Sequence, residues 1–213
     1  FDNLAEKPVK GMDFNHLKID DLGLNASGIA YSDTGITVNV KSGSLKEKSG
    51  FILSALRGDV AYTDKQVKVN NLLLRTPYTT IENNTQLDYT SLEDLTKHPE
   101  KVKLNMLIKN TTIGLRDAAF FSDAVPASYR NEKIKVNAQA RGYMNNLVIP
   151  QLKITGLKNT RIDVNGTVRG LPDVEKAFLD LNIKRFSLTK GDLLVVIPKN
   201  TLPNNITLPN YIN

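Results

Sequence analysis

Cysteine is absent from this chain. That excludes a disulfide framework, a zinc–thiolate site and a thiol nucleophile. Tryptophan is absent too, and aromatic residues make up 7% of the chain. That is too few for the stacking platform of a nucleic-acid binder. The only histidines, His16 and His98, are far apart in sequence. Neither sits in a metal-spacing motif, so both read as structural. No G-x-S-x-G or P-loop pattern occurs. Glu93 and Asp94 are adjacent acids at a helix start, where capping and the macrodipole account for them. Asp20, Asp21 and Asp33 lack the spacing of a calcium loop. No catalytic residue, metal ligand or cofactor site emerges, and the reading is of a protein that is not an enzyme. Apolar runs are short, and none approaches the roughly 18 residues that cross a bilayer.

What is present is a chain of 213 residues with net charge +6. A positive balance permits contact with phosphates or anionic lipid heads. The lysines, however, are spread singly along alternating segments rather than gathered on one face, which argues against nucleic acid as a partner. The sequence opens at Phe1 without a methionine or a signal-like segment. The expectation is of a piece of a longer protein whose membrane anchor lies outside it.

Period-2 alternation dominates. Ile36, Val38 and Val40 alternate with Thr37, Asn39 and Lys41. Val102, Leu104, Met106 and Ile108 alternate with Lys103, Asn105, Leu107 and Lys109. Ile134, Val136, Ala138 and Ala140 face away from Lys135, Asn137, Gln139 and Arg141. Ile162, Val164, Gly166 and Val168 do the same against Asp163, Asn165 and Thr167. These patterns predict strands with one apolar and one solvated face. Leu179, Leu181 and Ile183 give way to Phe186 and Leu188, and Phe51, Leu53 and Ala55 to Leu56, Val60 and Tyr62. Such phase shifts predict β-bulges near Lys184–Arg185 and near Ala55–Leu56.

Helix is scarce. Short helices are expected at Thr90–Asp94, ended by His98-Pro99, at Leu115–Ser122, and at Pro172–Phe178 with proline at its first position. A motif of Ile134, Val136, Asn137, Arg141 and Gly142 recurs as Ile162, Val164, Asn165, Arg169 and Gly170. Two strands and their turns fill that period, which suggests stacked hairpins. The organisation expected is one elongated β domain over 1–197. A Pro/Asn-rich extended tail over 198–213 would lead to a further unit, with Ile206 and Leu208 alternating between prolines.

Several segments carry a family resemblance. They are Lys46–Leu53 with Leu56 and Tyr62-Thr63-Asp64, then Leu72-Leu73-Leu74-Arg75-Thr76-Pro77, then Leu87–Leu95. Leu115-Arg116-Asp117 with Phe120 and Phe121 follows, then Arg169-Gly170-Leu171-Pro172, and Ile197-Pro198 through Ile206–Pro209. In this order they resemble the TamB group of AsmA-like envelope proteins, the translocation and assembly module, in its Bacteroidetes form. The weight lies in the order, since no single motif is specific. The resemblance implies a β-taco, a curled sheet with an apolar concave face. It implies a segment of an inner-membrane-anchored protein that crosses the periplasm. It implies movement of phospholipid between membranes, or outer-membrane protein assembly with a TamA-type barrel.

The fold expected is therefore all-β, a curled and mostly antiparallel sheet of about ten strands, with two or three short docked helices. In one reading acyl chains lie on the apolar face, lined by Ile36, Val38, Val40, Val102, Leu104, Met106, Ile108, Ile134, Val136, Ala138, Ile162, Val164, Val168, Leu179, Leu181 and Ile183. In the other, the same residues form a closed core, and open edges near Leu17–Leu24 and Ile206–Pro209 take a strand from a client protein.

Overall fold

A computed structural model describes residues 2–5, 7, 9, 11–122, 125–196 and 210–212. The alternating segments form ten long strands: β1 (Ile19–Ser32), β2 (Gly35–Glu47), β3 (Ile52–Thr63), β4 (Gln66–Arg75), β5 (Thr80–Asp88), β6 (Lys103–Gly114), β7 (Lys133–Tyr143), β8 (Asn146–Gly156), β9 (Thr160–Arg169) and β10 (Phe178–Thr189). A two-residue β11 (Tyr211–Ile212) pairs with the end of β10. Each strand pairs antiparallel with the next in chain order, so the sheet is an open meander, not a barrel. Among the described residues, the outer edge of β1 and most of that of β10 carry no partner strand.

Antiparallel order sends alternate strand ends to two long rims. The upper rim holds the turns at 33–34, 64–65, 89–102, 144–145 and 170–177. The lower rim holds the described residues before β1, the turns at 48–51, 76–79, 115–132 and 157–159, and the residues at 190–196 after β10. Helix is confined to these rims. On the lower one are α1 (Leu115–Ala118), a 3-10 turn at Ala127–Tyr129, and α2 (Lys190–Val196). The upper rim carries 3-10 turns at Leu92–Leu95, Pro99–Lys101 and Val174–Lys176.

Two helix expectations need correction. The capped segment after Ser91 winds as a 3-10 turn that stops at Leu95, before His98-Pro99. Pro172 is not a first helical residue, and Phe178 already belongs to β10, paired with Arg169. Between β9 and β10 the residues at 170–177 are too few for an α-helix to gain from propagation, and between β5 and β6 His98-Pro99 starts a second 3-10 turn. In contrast, α2 escaped the sequence reading, although Thr189 and Asp192 have capping-box spacing. The Thr189 hydroxyl accepts the Asp192 N–H at 3.1 Å.

Both expected bulges are present. Pairing slips between Ile183 and Arg185 in β10. In β3 three steps, Leu53 to Leu56, oppose two in β2, Leu45 to Gly43. Further slips at Arg57/Asp59, Val69/Leu72, Ile108/Thr111 and Ile149/Leu152 give most strands an irregularity near mid-length. Bulges bend a strand and increase its twist. Two of them use one device. Asn71 and Asn110 take positive φ, 53° and 48°, which asparagine tolerates better than most residues. The Asn71 N–H donates to Asn84 Oδ1 and its side chain to Asp59. The Asn110 N–H donates to Asn137 Oδ1 and its side chain to Glu82.

The motif repeat falls on β7 and β9, two strands apart and running the same way. It is slid by two residues, because Val136 and not Ile134 shares a row with Ile162, through Ile154. The expected tail strand at Ile206 and Leu208 lies outside the described residues.

Candidate functional site

Residues directly opposed in an antiparallel ladder point to the same face. Following the pairs across the sheet therefore assigns every side. One row crosses all ten strands: Tyr31, Ile36, Tyr62, Val67, Leu87, Leu104, Gly142, Leu147, Val168 and Leu179. Below it runs Val38, Val60, Val69, Thr85, Met106 and Ala140, with Ile149, Gly166 and Leu181 beyond the β8 bulge. A third row holds Leu72, Asn83, Ile108, Ala138, Leu152, Val164 and Ile183, with Ala26, Val40 and Gly58 at the β1 side. Thr111, Val136, Ile154, Ile162 and Phe186 make a fourth. Asn83, Thr85 and Thr111 are the polar interruptions in these rows.

Ten separate strand patterns would not do this by chance; it requires that every register keep the same parity in phase. All sixteen expected lining positions except Val102 and Ile134 fall in the four rows. Ile134 sits on the same face at the lower rim, opposed to Ile113 and Gly156. Val102 is not in a strand. It follows the 3-10 turn at Pro99–Lys101, is buried, and its carbonyl accepts the Met144 N–H. Leu104, expected at mid-strand, is the second residue of β6 and lies near the upper rim. Val136 and Val164 are interior to their strands.

Among the described residues no second layer covers this face. The elements in substantial contact are sheet neighbours, plus α1 on β6 and α2 on β10. Burial instead follows position along the sheet. Ala138, Leu147 and Val164 are at most 7% exposed, whereas Leu22, Leu24 and Tyr31 on β1 are 65%, 67% and 84% exposed. On β10, Leu179 and Ile183 are also exposed. Gly166 lies between Ile149 and Leu181 in the second row. A Cβ there would come 2.0 Å from the Asp180 carbonyl oxygen, so β9 and β10 could not approach this closely with any side chain.

The opposite face carries Asn39, Asp59, Lys68, Gln86, Asn105, Arg141 and Lys153. A cavity of about 620 Å³ lies over the bulges of β2–β6, lined mostly from this polar side. Leu73 and Leu107 form part of its floor, under Lys41, Arg57 and Lys109. The apolar rows thus run together as one strip across the ten strands.

The lower rim is held by buried carboxylates. Asp192 is fully buried. It accepts the Tyr129 and Thr160 hydroxyls and the Lys158 and Asn159 N–H groups. Burial alone would push this carboxyl up; those donors outweigh it and hold it below the usual range. Glu47 has the same balance, with burial opposed by hydrogen bonds from Ser49 and Lys18. Asp117 accepts the Thr76 hydroxyl and the Tyr78 N–H. Asp13 is lowered chiefly by the Val9 N–H, and also by His16 and the Asn15 N–H. His16 is therefore a buried loop residue before β1, not the start of a strand. Beside these groups sits a compact apolar cluster, Leu115, Val125, Tyr129 and Leu157, with Ile134 of the apolar face packed against it.

Among the described residues no group of three or more His, Cys, Asp or Glu could hold a metal ion. Among the same residues no helix is long and apolar enough to cross a membrane. Comparison with protein-family models, with curated proteins and with solved structures gives no match for this chain.

Proposed function

We propose that this chain is a segment of a lipid conduit, in which acyl chains lie along the apolar strip while the polar face meets water. The carrying observation is the unbroken row from Tyr31 to Leu179 across ten strands, on a face that no other element covers among the described residues. Ten strands about 4.8 Å apart make such a strip roughly 43 Å long. Transfer of a methylene from water to an apolar surface is worth about 0.8 kcal/mol, so holding a lipid needs area and no covalent chemistry. On this reading the chain is not an enzyme. The small residues of the middle, Ala138, Ala140 and Gly166, suit the floor of a trough, and the mid-strand bulges suit the bend that makes one. Residence in the periplasm, as part of a TamB-like protein passing phospholipid between membranes, belongs to the same proposal.

A photo-reactive residue at Val136 or Val164 tests it in cells. Crosslinks to phospholipid are expected there, and none from Lys135 or Asp163, which alternation turns to the other side. Equal labelling of both faces, or of neither in a folded protein, rejects the conduit. Val136→Asp places a carboxylate on the strip at a cost of several kcal/mol unless it protonates. It is expected to stop transfer, with circular dichroism showing the fold retained.

One observation favours a second reading. The outer edge of β1 is unpaired over a 14-residue strand, and from Leu22 to Ser32 it bears no charge. Such an edge can take a client strand, as an assembly scaffold working with a TamA-type barrel would require. Its other proposed edge, Ile206–Pro209, lies outside the described residues.

A further inference from the structure

A cavity of about 340 Å³ opens on the lower rim between the turn after β2 and the segment that follows β6. Its charged lining among the described residues is two guanidinium groups, Arg116 and Arg130. Phe120, Val125 and Ala119 supply an apolar wall, and Ser49 a hydroxyl. The two arginines are set up differently. Arg116 is held in place: it donates to the Tyr78 hydroxyl at 2.6 Å and to Asn131 Oδ1 at 3.0 Å, and it lies 4.8 Å from the Tyr78 ring centroid. Arg130 makes no ion pair or side-chain hydrogen bond among the described residues.

No ion pair among the described residues ties up either guanidinium. The nearby carboxylates Asp117 and Glu47 are buried and turned toward loop donors, so neither pairs with an arginine. Glu132 is the acid that lines a smaller neighbouring cavity, which Arg116 and Arg130 also border. On the upper rim, by contrast, Lys65, Lys97 and Lys176 each pair with an acid. The wall of the cavity leads to the strip, since Val125 belongs to the cluster against which Ile134 packs.

We propose that Arg116 and Arg130 bind the phosphate of a phospholipid headgroup at this rim, with the acyl chains passing along Val125 onto the apolar face. The proposal rests on the conduit reading and adds to it a place where the headgroup is recognised. Two guanidinium groups beside an apolar wall match a phosphodiester carried on hydrocarbon. Arginine suits the role because its planar fork pairs two oxygens at once and stays charged.

The test uses calorimetry on the whole chain with three probes: dihexanoyl-phosphatidylglycerol, uncharged monodecanoylglycerol, and glycerol 3-phosphate. Arg130→Gln is expected to weaken the phospholipid at least ten-fold, and Arg116→Gln with Arg130→Gln further. Monodecanoylglycerol should bind all forms alike, and glycerol 3-phosphate should bind weakly. Among the described residues the Arg130 side chain has no ion pair or hydrogen bond, so its substitution leaves the fold intact, which circular dichroism checks. Unchanged phospholipid affinity, or equal loss for both amphiphiles, overturns the arginine site and leaves the conduit standing. Glycerol 3-phosphate binding as tightly as the lipid makes this a free-phosphate site and overturns the lipid source. Binding of no amphiphile by the unaltered chain overturns both.

Discussion

The two rims of the sheet are held by different physics. At the lower rim Asp13, Glu47, Asp117 and Asp192 are buried, and each accepts at least one backbone N–H, for Asp117 and Asp192 from a neighbouring loop. The upper rim has one such carboxylate, Asp94, which accepts the Thr90 and Ser91 N–H groups. Its other charges meet at the surface, as in Lys97 with Glu93 and Lys176 with Asp173. Exposed pairs contribute about 0–1 kcal/mol because water screens them. A buried acceptor is different, since its removal strands several donors at once. The comparison teaches where this open sheet is anchored: along the rim that also carries α1, α2 and the apolar cluster.

The largest effect should come from Asp192→Ala. Four donors would lose their partner, including two loop N–H groups between β8 and β9. A loss of about 3 kcal/mol is expected by urea unfolding. A loss below about 1 kcal/mol would mean that the lower rim is not held as described.

Acid comes next. Asp13, Glu47, Asp94 and Asp192 all have carboxyls held below their usual range. The unfolded chain therefore takes up protons first as pH falls. Their contribution is complete at neutral pH and is lost below about pH 4, as the folded-state values are passed. Thermal melts should be flat from pH 7 to about 5 and then decline. In Asp192→Asn the decline should be shallower, and an unchanged slope would remove Asp192 from the acid-sensitive set.

Asn110→Ala should cost about 1–2 kcal/mol, from the strained φ and the lost contact to Glu82. Asn110→Gly, which relieves the φ, should recover part of it. Identical stability of the two variants would remove the backbone argument. The smallest effect belongs to Lys97→Gln, expected within about 0.5 kcal/mol of the parent. A clearly larger change would show the upper rim to be more than a screened surface.

Much of this architecture was legible from alternation. The parity of Ile134, Val136 and Ala138, or of Ile162 and Val164, is a local property. Side chains two apart in a strand share a face whatever the strand pairs with. The slip at Lys184 was equally local, since one inserted residue reverses the pattern within the strand. Other features were hidden. Asn71 and Asn110 are bulge residues whose partners, Asn84 and Asn137, lie at unequal distances along the chain, so no fixed spacing exposes them. Asp192 and Asp117 looked like ordinary acids, because burial of a carboxylate depends on loops that approach from elsewhere. Val102 continued the parity of Leu104, but the turn before it withdrew it from the strand.

By itself, then, the sequence determined which residues can share the apolar side and that no thiol or tryptophan chemistry is available. Tertiary structure decided that ten such sides lie in register as one strip, that β1 and β10 do not close on each other, and that Arg116 and Arg130 meet at one cavity. The physical reason is range: alternation acts over neighbours in the chain, whereas register, closure and the gathering of charges depend on contacts between strands and loops far apart in it.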